Sequence, residues 1–347
     1  MKRPMVLFAR LRRVVFMVGV VALLGSLAVP ASAVTIDWVT VGDPGNAADT
    51  TGYGAVTESY RIMKFEFTNS QYVAFLNAVD PDGNNPNFVY NGSMGSNARG
   101  GISFTDGAAS GSKYAAKTNM GDKPVNYVSW WDAARVANWL QNGQGSGSTE
   151  TGAYTLNNAT SGNAPAVNSG AQFYIPTENQ WYKAAYYKGG STNAGYWDYA
   201  TQSDTAPTAV TADGTGDGSA GSTGNFANFA TAADWNGQNG NVTTVGTNGG
   251  PSAYGAFDMS GNVYEWNDLD GLAASGSSRG LRGGDWNLDA FYLSSSYGFT
   301  NIPSGGLNDF GFRLASPVAV PEPSTWVMGL AGIACAGWGA FRRRRAR

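Results

Sequence analysis

The chain has 347 residues with 22 Lys plus Arg against 25 Asp plus Glu, a formal net charge of −3, and it contains no histidine and one cysteine. Within residues 34–320 the balance is 12 basic to 24 acidic side chains, a net charge of −12, which argues against a nucleic-acid partner. The one cysteine, Cys335, lies outside that region. Residues 34–320 therefore hold no internal disulfide, no zinc site of the usual ligands, and no histidine or cysteine for catalysis.

The amino-terminal 33 residues have the pattern of a secretory signal. Basic side chains precede an apolar run at residues 14–29, and Ala31-Ser32-Ala33 is a small-residue cleavage site. We predict a signal peptide over residues 1–33 and a mature chain that starts at Val34, so that signal peptidase is an expected partner.

The carboxyl-terminal segment, residues 321–347, has three parts in a fixed order. Pro321-Glu322-Pro323 is followed by the uncharged residues 324–341 and then by the arginines of 342–347. A stretch of this length is near the lower limit for crossing a hydrocarbon core of ~30 Å, and the arginines favour the cytoplasmic side. We predict a membrane span with a basic stop, which leaves residues 34–320 as one exported domain.

The ordered part of that domain begins with a predicted strand and a predicted helix. In residues 61–68, RIMKFEFT, apolar side chains alternate with Lys64 and Glu66, which predicts a half-buried strand with those two on the solvent face. Thr68 and Gln71 then have the spacing of a capping box, and apolar residues recur at helical intervals as far as Val79. A short amphipathic helix is predicted there.

Two more helices are predicted from their amino-terminal signals. Ser129 can cap a helix with Asp132 in its first turn, and Thr177 and Gln180 repeat the capping-box spacing. The stripe predicted to be buried on the first of these helices consists of Ala133, Val136, Ala137 and Leu140. Glycine-rich, polar stretches at residues 82–123, 141–171 and 201–224 separate these elements and predict long excursions or surface insertions.

Residues 249–286 gather carboxylates, glycines and large aromatic residues. Asp258 and Glu265 flank a predicted turn at residues 260–262, and a turn leaves main-chain carbonyls that can join two carboxylates around a hard cation such as calcium. The alternative is a turn in which Asp258 caps the chain, Glu265 is solvated and Trp266 is in the core. Residues 280–284, GLRGG, lack the lysine of a phosphate loop and predict a strand with close backbone packing.

Six motifs follow one another in a recognisable order: YRIMKFEFTNSQYVAFLNAV (60–79), PVNYVSWWDAARVANWL (124–140), FYIPTENQWYKAAYY (173–187), YGAFDMSGNVYEW (254–266), LRGGDW (281–286) and GFRLA (311–315). In this order they resemble the formylglycine-generating enzyme, or sulfatase-modifying factor, family. The resemblance implies a single irregular α+β domain with a C-type-lectin-like fold and glycine-rich insertions.

The family resemblance also implies structural calcium. Matched by motif, Asp258 and Glu265 would supply side-chain oxygens, and Gly261 and Val263 main-chain carbonyls. A second set would consist of Asn228, Phe229 and, more loosely, Asp234.

The tail, VPEPSTW followed by GLAGIACAGWGAFRRRR, resembles the PEP-CTERM sorting signal. That resemblance implies processing by an exosortase-type protease in a Gram-negative bacterium. The product is expected at the cell surface or in the extracellular matrix, after transient anchoring in the membrane.

The sequence departs from the family at the positions where the family's chemistry takes place. The family's copper-binding cysteines correspond to about Leu288 and Leu293, and Leu314 stands where another cysteine is common. Without soft ligands a cuprous ion has nothing to hold it, so no copper is expected. The iron-dependent relatives use a histidine cluster, which this chain lacks.

Three interpretations of function stay open. The first is a non-catalytic, calcium-stabilised scaffold that binds a glycan, an extracellular polysaccharide or a matrix protein. The second is a formylglycine-generating type of oxidoreductase that acts on protein cysteine, or another enzyme, with Asp285 and Asp309 as candidate acids. Acids beside aromatic residues are more often structural, so both are expected to pair with Arg282 or Arg313. The third is a matrix protein without a functional cleft.

Overall fold

The computed structural model describes residues 33–269 and 278–318. The predicted signal peptide and the predicted sorting tail, including the span at residues 324–341, lie outside these residues and stay predictions. Within the described ranges, no helix combines the length and the apolar character that a membrane crossing requires.

The described residues form four α-helices and eleven strands of two to four residues each, joined by long irregular segments. The helices are α1 (Asn69–Val79), α2 (Gly92–Ser96), α3 (Trp130–Gln141) and α4 (Glu178–Tyr186). The strands are β1 (Trp38–Val41), β2 (Tyr60–Met63), β3 (Ile102–Phe104), β4 (Tyr114–Ala116), β5 (Thr208–Ala209), β6 (Phe226–Ala227), β7 (Tyr264–Asn267), β8 (Arg279–Arg282), β9 (Phe299–Asn301), β10 (Phe310–Gly311) and β11 (Ala315–Pro317). The expectation of an irregular α+β domain is confirmed.

The three predicted helices are confirmed at their starts. Thr68 caps α1, Ser129 caps α3 and Thr177 caps α4. Each cap accepts a hydrogen bond from the backbone N–H three residues on, and the side chain at that position bonds back to the backbone N–H of the cap. Local side-chain chemistry thus fixes where these helices begin.

The predicted strand at residues 61–68 is too long. β2 ends at Met63, and the chain bends at Lys64 and Phe65 before α1. Glu66, which was expected on the solvent face, is fully buried. Its carboxylate accepts a hydrogen bond of 3.0 Å from the side-chain amide of Asn262, so a long-range polar contact overrides the alternating pattern.

Helix α3 is the centre of the main core. The sequence predicts one buried stripe, but every residue from Trp130 to Leu140 is buried. Its polar residues are paired inside the protein: Arg135 with Glu150, and Asn138 with the backbone of Tyr154. The segment after α3, which was predicted to be a surface insertion, therefore covers the helix.

The sheet β10-β7-β8-β9 positions the candidate site. β7 runs antiparallel to β8, with Glu265 opposite Arg282, and parallel to β10, with Tyr264 opposite Phe310. The predicted close packing at residues 280–284 is confirmed, because a Cβ on Gly280 would lie 2.1 Å from the side-chain oxygen of Asn267. Arg313 follows β10, so the sheet brings it to the same region as Glu265.

Candidate functional site

Glu265 is buried in an ion pair. Arg313 donates from Nε to Oε2 and from Nη2 to Oε1, both at 2.6 Å, and Trp181 donates its indole N–H to Oε2 at 2.8 Å. Both charged side chains are fully buried. The alternative of a solvated Glu265 is therefore wrong, whereas Trp266 is a core residue as that alternative proposed.

Asp258 and Glu66 share this buried region. Asp258 accepts hydrogen bonds from the backbone N–H of Gly246 and from the side chain of Asn248. Burial raises the pKa of Asp258, and Arg313 opposes that rise. Burial and the nearby Asp258 raise the pKa of Glu66, whose Oε2 has no hydrogen-bond partner and lies 3.8 Å from Nη2 of Arg313. We call Glu66, Asp258, Glu265 and Arg313 the buried charge cluster.

The excess of negative charge in the buried charge cluster suits a hard cation. The cluster holds three carboxylates to one guanidinium, and the orphaned Oε2 of Glu66 is an acceptor without a donor. The predicted calcium set adds the main chain of Gly261 and Val263 to Asp258 and Glu265, although Arg313 already engages both oxygens of Glu265. In the ranges 33–269 and 278–318, no group of three or more acidic, histidine or cysteine side chains is arranged to hold a metal.

The residues of the second predicted calcium set have separate environments. Asn228 is buried beside the predicted turn, where its carbonyl accepts from the backbone N–H of Asn262 at 2.8 Å, and its own Oδ1 has no hydrogen-bond partner. Phe229 is buried in an apolar cluster with Leu293. Asp234 is exposed and accepts from the backbone N–H of Gly240 at 2.7 Å.

Hydrocarbon occupies the positions to which the resemblance assigns the copper-binding cysteines. Leu293 is fully buried with Ala227 and Phe229 in one cluster. Leu288 packs against the main core, and Leu314 is fully buried within it. These side chains offer no metal ligand.

Asp285 and Asp309 do not pair with the arginines, and that expectation is wrong. Arg282 forms its ion pair with Glu178, and Arg313 forms its pair with Glu265. Asp285 accepts from the backbone N–H groups of residues 287 and 288 through Oδ1, and its Oδ2 is buried without a donor, as is Oδ1 of Asp309.

A proton shared between the two carboxyl groups of Asp285 and Asp309 would satisfy both oxygens. Burial and the neighbouring Asp285 raise the pKa of Asp309 to about 7, and a protonated Asp309 can donate a hydrogen bond to Asp285. This acid pair does not line the pockets of about 460, 240 and 200 Å³ that the described residues form.

A surface pocket of about 460 Å³ is the feature that sequence reasoning missed. We call it the aromatic pocket. Its lining includes Phe88, Tyr90, Tyr127, Trp131, Asp132 and Thr160. Phe88 belongs to the glycine- and asparagine-rich stretch at residues 82–123, and an aromatic residue within a run of turn-forming residues is the only sequence signal that could have drawn attention to it.

The chain is similar to known proteins in sequence and in structure. The family profile described as "Sulfatase-modifying factor enzyme 1-like domain" matches residues 39–318, and the profile described as "PEP-CTERM protein-sorting motif" matches residues 319–345. Among solved structures, Treponema denticola variable protein 1 is similar at 21% identity, with 83% of this chain and 97% of that chain covered and a TM-score of 0.49. CarF is similar at 22% identity, with 82% and 99% covered and a TM-score of 0.49. PvdO from Pseudomonas aeruginosa is similar at 19% identity, with 82% and 92% covered and a TM-score of 0.41. No curated protein matches the chain.

Proposed function

Since the chain belongs to the sulfatase-modifying factor family and ends in a PEP-CTERM sorting motif, we propose that it is an exported, non-catalytic scaffold that binds a ligand at the cell surface or in the matrix. The sorting motif implies export and processing by the exosortase machinery of a Gram-negative bacterium. The location at the cell surface or in the matrix and the absence of catalysis are both proposed.

The packing of Leu293 carries the non-catalytic part of this proposal. The family's copper chemistry depends on a pair of thiolates, and here one of the two positions is a fully buried leucine in contact with Phe229 and Ala227. No histidine exists anywhere in the chain to replace the thiolates. A cuprous ion would therefore meet hydrocarbon where it needs soft donors.

Calcium is a second, separable part of the proposal. Asp258, Gly261, Val263 and Glu265 would hold it, and the ion would offset the excess of negative charge in the buried charge cluster. Its role would be structural, because Glu265 is bonded to Arg313, and this pair joins β7 to the segment after β10. Arg313 would share the carboxylate of Glu265 with the ion.

A formylglycine assay tests the proposed function directly. The full chain is incubated with a peptide that carries a CxPxR motif, copper and reductant, and the peptide is analysed by mass spectrometry. We expect no product above a no-protein control, while an active formylglycine-generating enzyme run in parallel converts the peptide. A mass loss that corresponds to conversion of the thiol to the aldehyde would establish the oxidoreductase instead.

A further inference from the structure

The walls of the aromatic pocket combine an exposed ring with buried ones. Phe88 is 75% exposed, whereas Tyr127 and Trp131 are 8% and 2% exposed. An exposed phenyl ring of this kind leaves apolar surface in water unless a ligand covers it. The negative face of an aromatic ring attracts the polarised C–H groups on the flat side of a sugar ring.

Polar groups with unused hydrogen-bonding capacity lie in the same walls. Asp132 accepts from the backbone N–H and the hydroxyl of Ser129 through Oδ2 at 2.8 and 2.7 Å, and its Oδ1 accepts nothing from the described residues. The indole N–H of Trp131, which also lines the pocket, is buried and has no partner among them. Asn87 donates to Glu150 at 3.0 Å and keeps its side-chain oxygen unused. Donors and acceptors of this kind match the hydroxyl groups of a carbohydrate.

The charge of the pocket selects against anions. Asp132 is the one ionisable carboxylate among its lining residues, and no lysine or arginine lines it. An acidic sugar or a phosphate would meet a carboxylate without a compensating cation. A neutral ligand suits this lining better.

The backbone around the pocket is held in unusual conformations. Asn85, Asn87, Phe88 and Tyr127 have φ between 50° and 60°, in the left-handed region. For bulky residues such as Phe88 and Tyr127 this conformation is a true outlier and is energetically unfavourable. Strain of this kind persists where the surrounding structure enforces it, and here it lies at two of the aromatic residues that line the pocket.

A second pocket adjoins the aromatic pocket. Asn87 lines a second pocket of about 240 Å³, which Ser148 and Asn158 also line. Both volumes are close to or within the range of about 300–1,000 Å³ that is typical of small-molecule sites. Neighbouring pockets with a shared wall suit an extended chain.

We propose that the aromatic pocket binds a neutral oligosaccharide, with Phe88 as the stacking platform and Thr160, Asn87 and Asp132 as hydrogen-bonding groups. This inference rests on the proposed binding function and names its ligand class and site. It does not depend on the buried charge cluster or on calcium, because none of the residues of that cluster lines the pocket.

Affinity electrophoresis in native gels tests the proposal. The full chain, in a detergent without a sugar headgroup, is run through gels cast with dextran, galactomannan or soluble starch, and through gels cast with the anionic polysaccharide alginate. The variants are Phe88→Ala and Thr160→Val. The control is Phe291→Ala, because Phe291 is 59% exposed and lies outside the pocket. Thermal unfolding followed by circular dichroism checks that each variant is folded.

We expect at least one neutral polysaccharide to retard the chain and the Phe291→Ala control equally. Phe88→Ala should weaken this retardation by about tenfold or more, as removal of a central aromatic contact does, and Thr160→Val should weaken it less. Binding should be the same with calcium and with chelator.

Three results would overturn the proposal: no retardation by any neutral polysaccharide, retardation that both pocket variants retain, or retardation by alginate alone. Selective binding of peptides in place of polysaccharides, measured with a pool of unrelated neutral peptides, would also overturn it. The formylglycine assay on the same preparation separates the two proposals. Aldehyde formation would contradict the non-catalytic function, whereas the binding of polysaccharide is judged from the gels alone.

Discussion

Arg313 and Glu265 are joined by two hydrogen bonds of 2.6 Å each, with both side chains fully buried. The same guanidinium donates to the backbone oxygens of Met63 at 3.1 Å and Phe257 at 2.8 Å. One arginine therefore ties together the end of β2, the segment before the turn at 260–262, β7 and the segment after β10. The GFRLA and YEW motifs meet at this pair, and its first role is to hold the fold together.

Glu265→Gln should strongly destabilise the protein even without metal. The change breaks the buried ion pair with Arg313 and removes one of the two oxygens that accept from its guanidinium. Breaking a buried ion pair typically costs about 3–5 kcal/mol. Urea unfolding followed by fluorescence measures the change in free energy. The control is Asp204→Asn, which breaks the exposed pair with Lys188 at 3.9 Å and should cost no more than about 1 kcal/mol. Equal effects of the two substitutions would contradict the structural role of the pair.

Gly261→Ala should destabilise the protein more than Gly143→Ala. Both glycines have similar left-handed φ values, 83° and 84°, so both substitutions incur the backbone cost of about 1–2 kcal/mol. A Cβ at Gly261 would lie 2.2 Å from the carbonyl oxygen of Asn228, whereas nothing lies within 4 Å of one at Gly143. The additional loss at residue 261 should be about 1–3 kcal/mol in thermal or urea unfolding. Indistinguishable losses would mean that the turn relaxes away from Asn228.

Local signals predicted the helices, because a capping box needs residues only three positions apart. Thr68, Ser129 and Thr177 each mark a helix start that the structure confirms. The order of six motifs predicted the family, which the profile match confirms. These signals are short-range or cumulative, so one sequence is enough to read them.

Long-range polar pairing could not be predicted in the same way. Glu66 is buried because Asn262, 196 positions away in the chain, donates to it. Asp285 and Asp309 are neighbours, whereas Arg282 and Arg313 pair with glutamates. The acidic side chain that pairs with a given arginine is determined by how the folded chain packs. The aromatic pocket was missed for a related reason, since the conformation of a glycine- and asparagine-rich segment is set by the core on which it lies.

The arginines of the tail should determine how the exported chain is retained. Replacement of residues 342–345 by serine should impair orientation or retention in the membrane, because positive charge defines the cytoplasmic end of a span. Fractionation of cells that have the sorting protease measures this effect. In those cells the tail arginines should be absent from the processed protein, and surface-extracted protein with an intact tail in mass spectra would contradict processing near Pro321.

Calcium should raise the melting temperature of the full chain relative to chelator. A ligand that binds only the folded state stabilises it by about 2.7 kcal/mol at a hundredfold excess over Kd. Asp258→Asn should remove most of this gain if the first predicted set holds the ion, whereas Asp234→Asn should do so only if the second set holds it. Equal melting temperatures in calcium and chelator, with no metal in the purified protein, would reject calcium at both sets.

The stability of the Asp309→Asn variant relative to the wild type should increase as the pH rises. The pKa of Asp309 is about 7 in the folded protein against an ordinary value of 3.8, so between these pH values the folded state keeps a proton that the unfolded state has lost. The unfolded state is then favoured progressively, and the wild-type protein loses stability as the pH rises from about 4 to 7. An asparagine at this position cannot ionise, and its amide can donate to Asp285 at every pH.

The measurement is the difference in melting temperature between Asp309→Asn and the wild type at pH 5 and at pH 8. The difference should move in favour of the variant at pH 8. Asp82→Asn, a change of the same kind at an exposed position, serves as the control. If the difference for Asp309→Asn is the same at both pH values, the two carboxyl groups do not share a proton in the folded protein, and the orphaned oxygens of Asp285 and Asp309 have another partner.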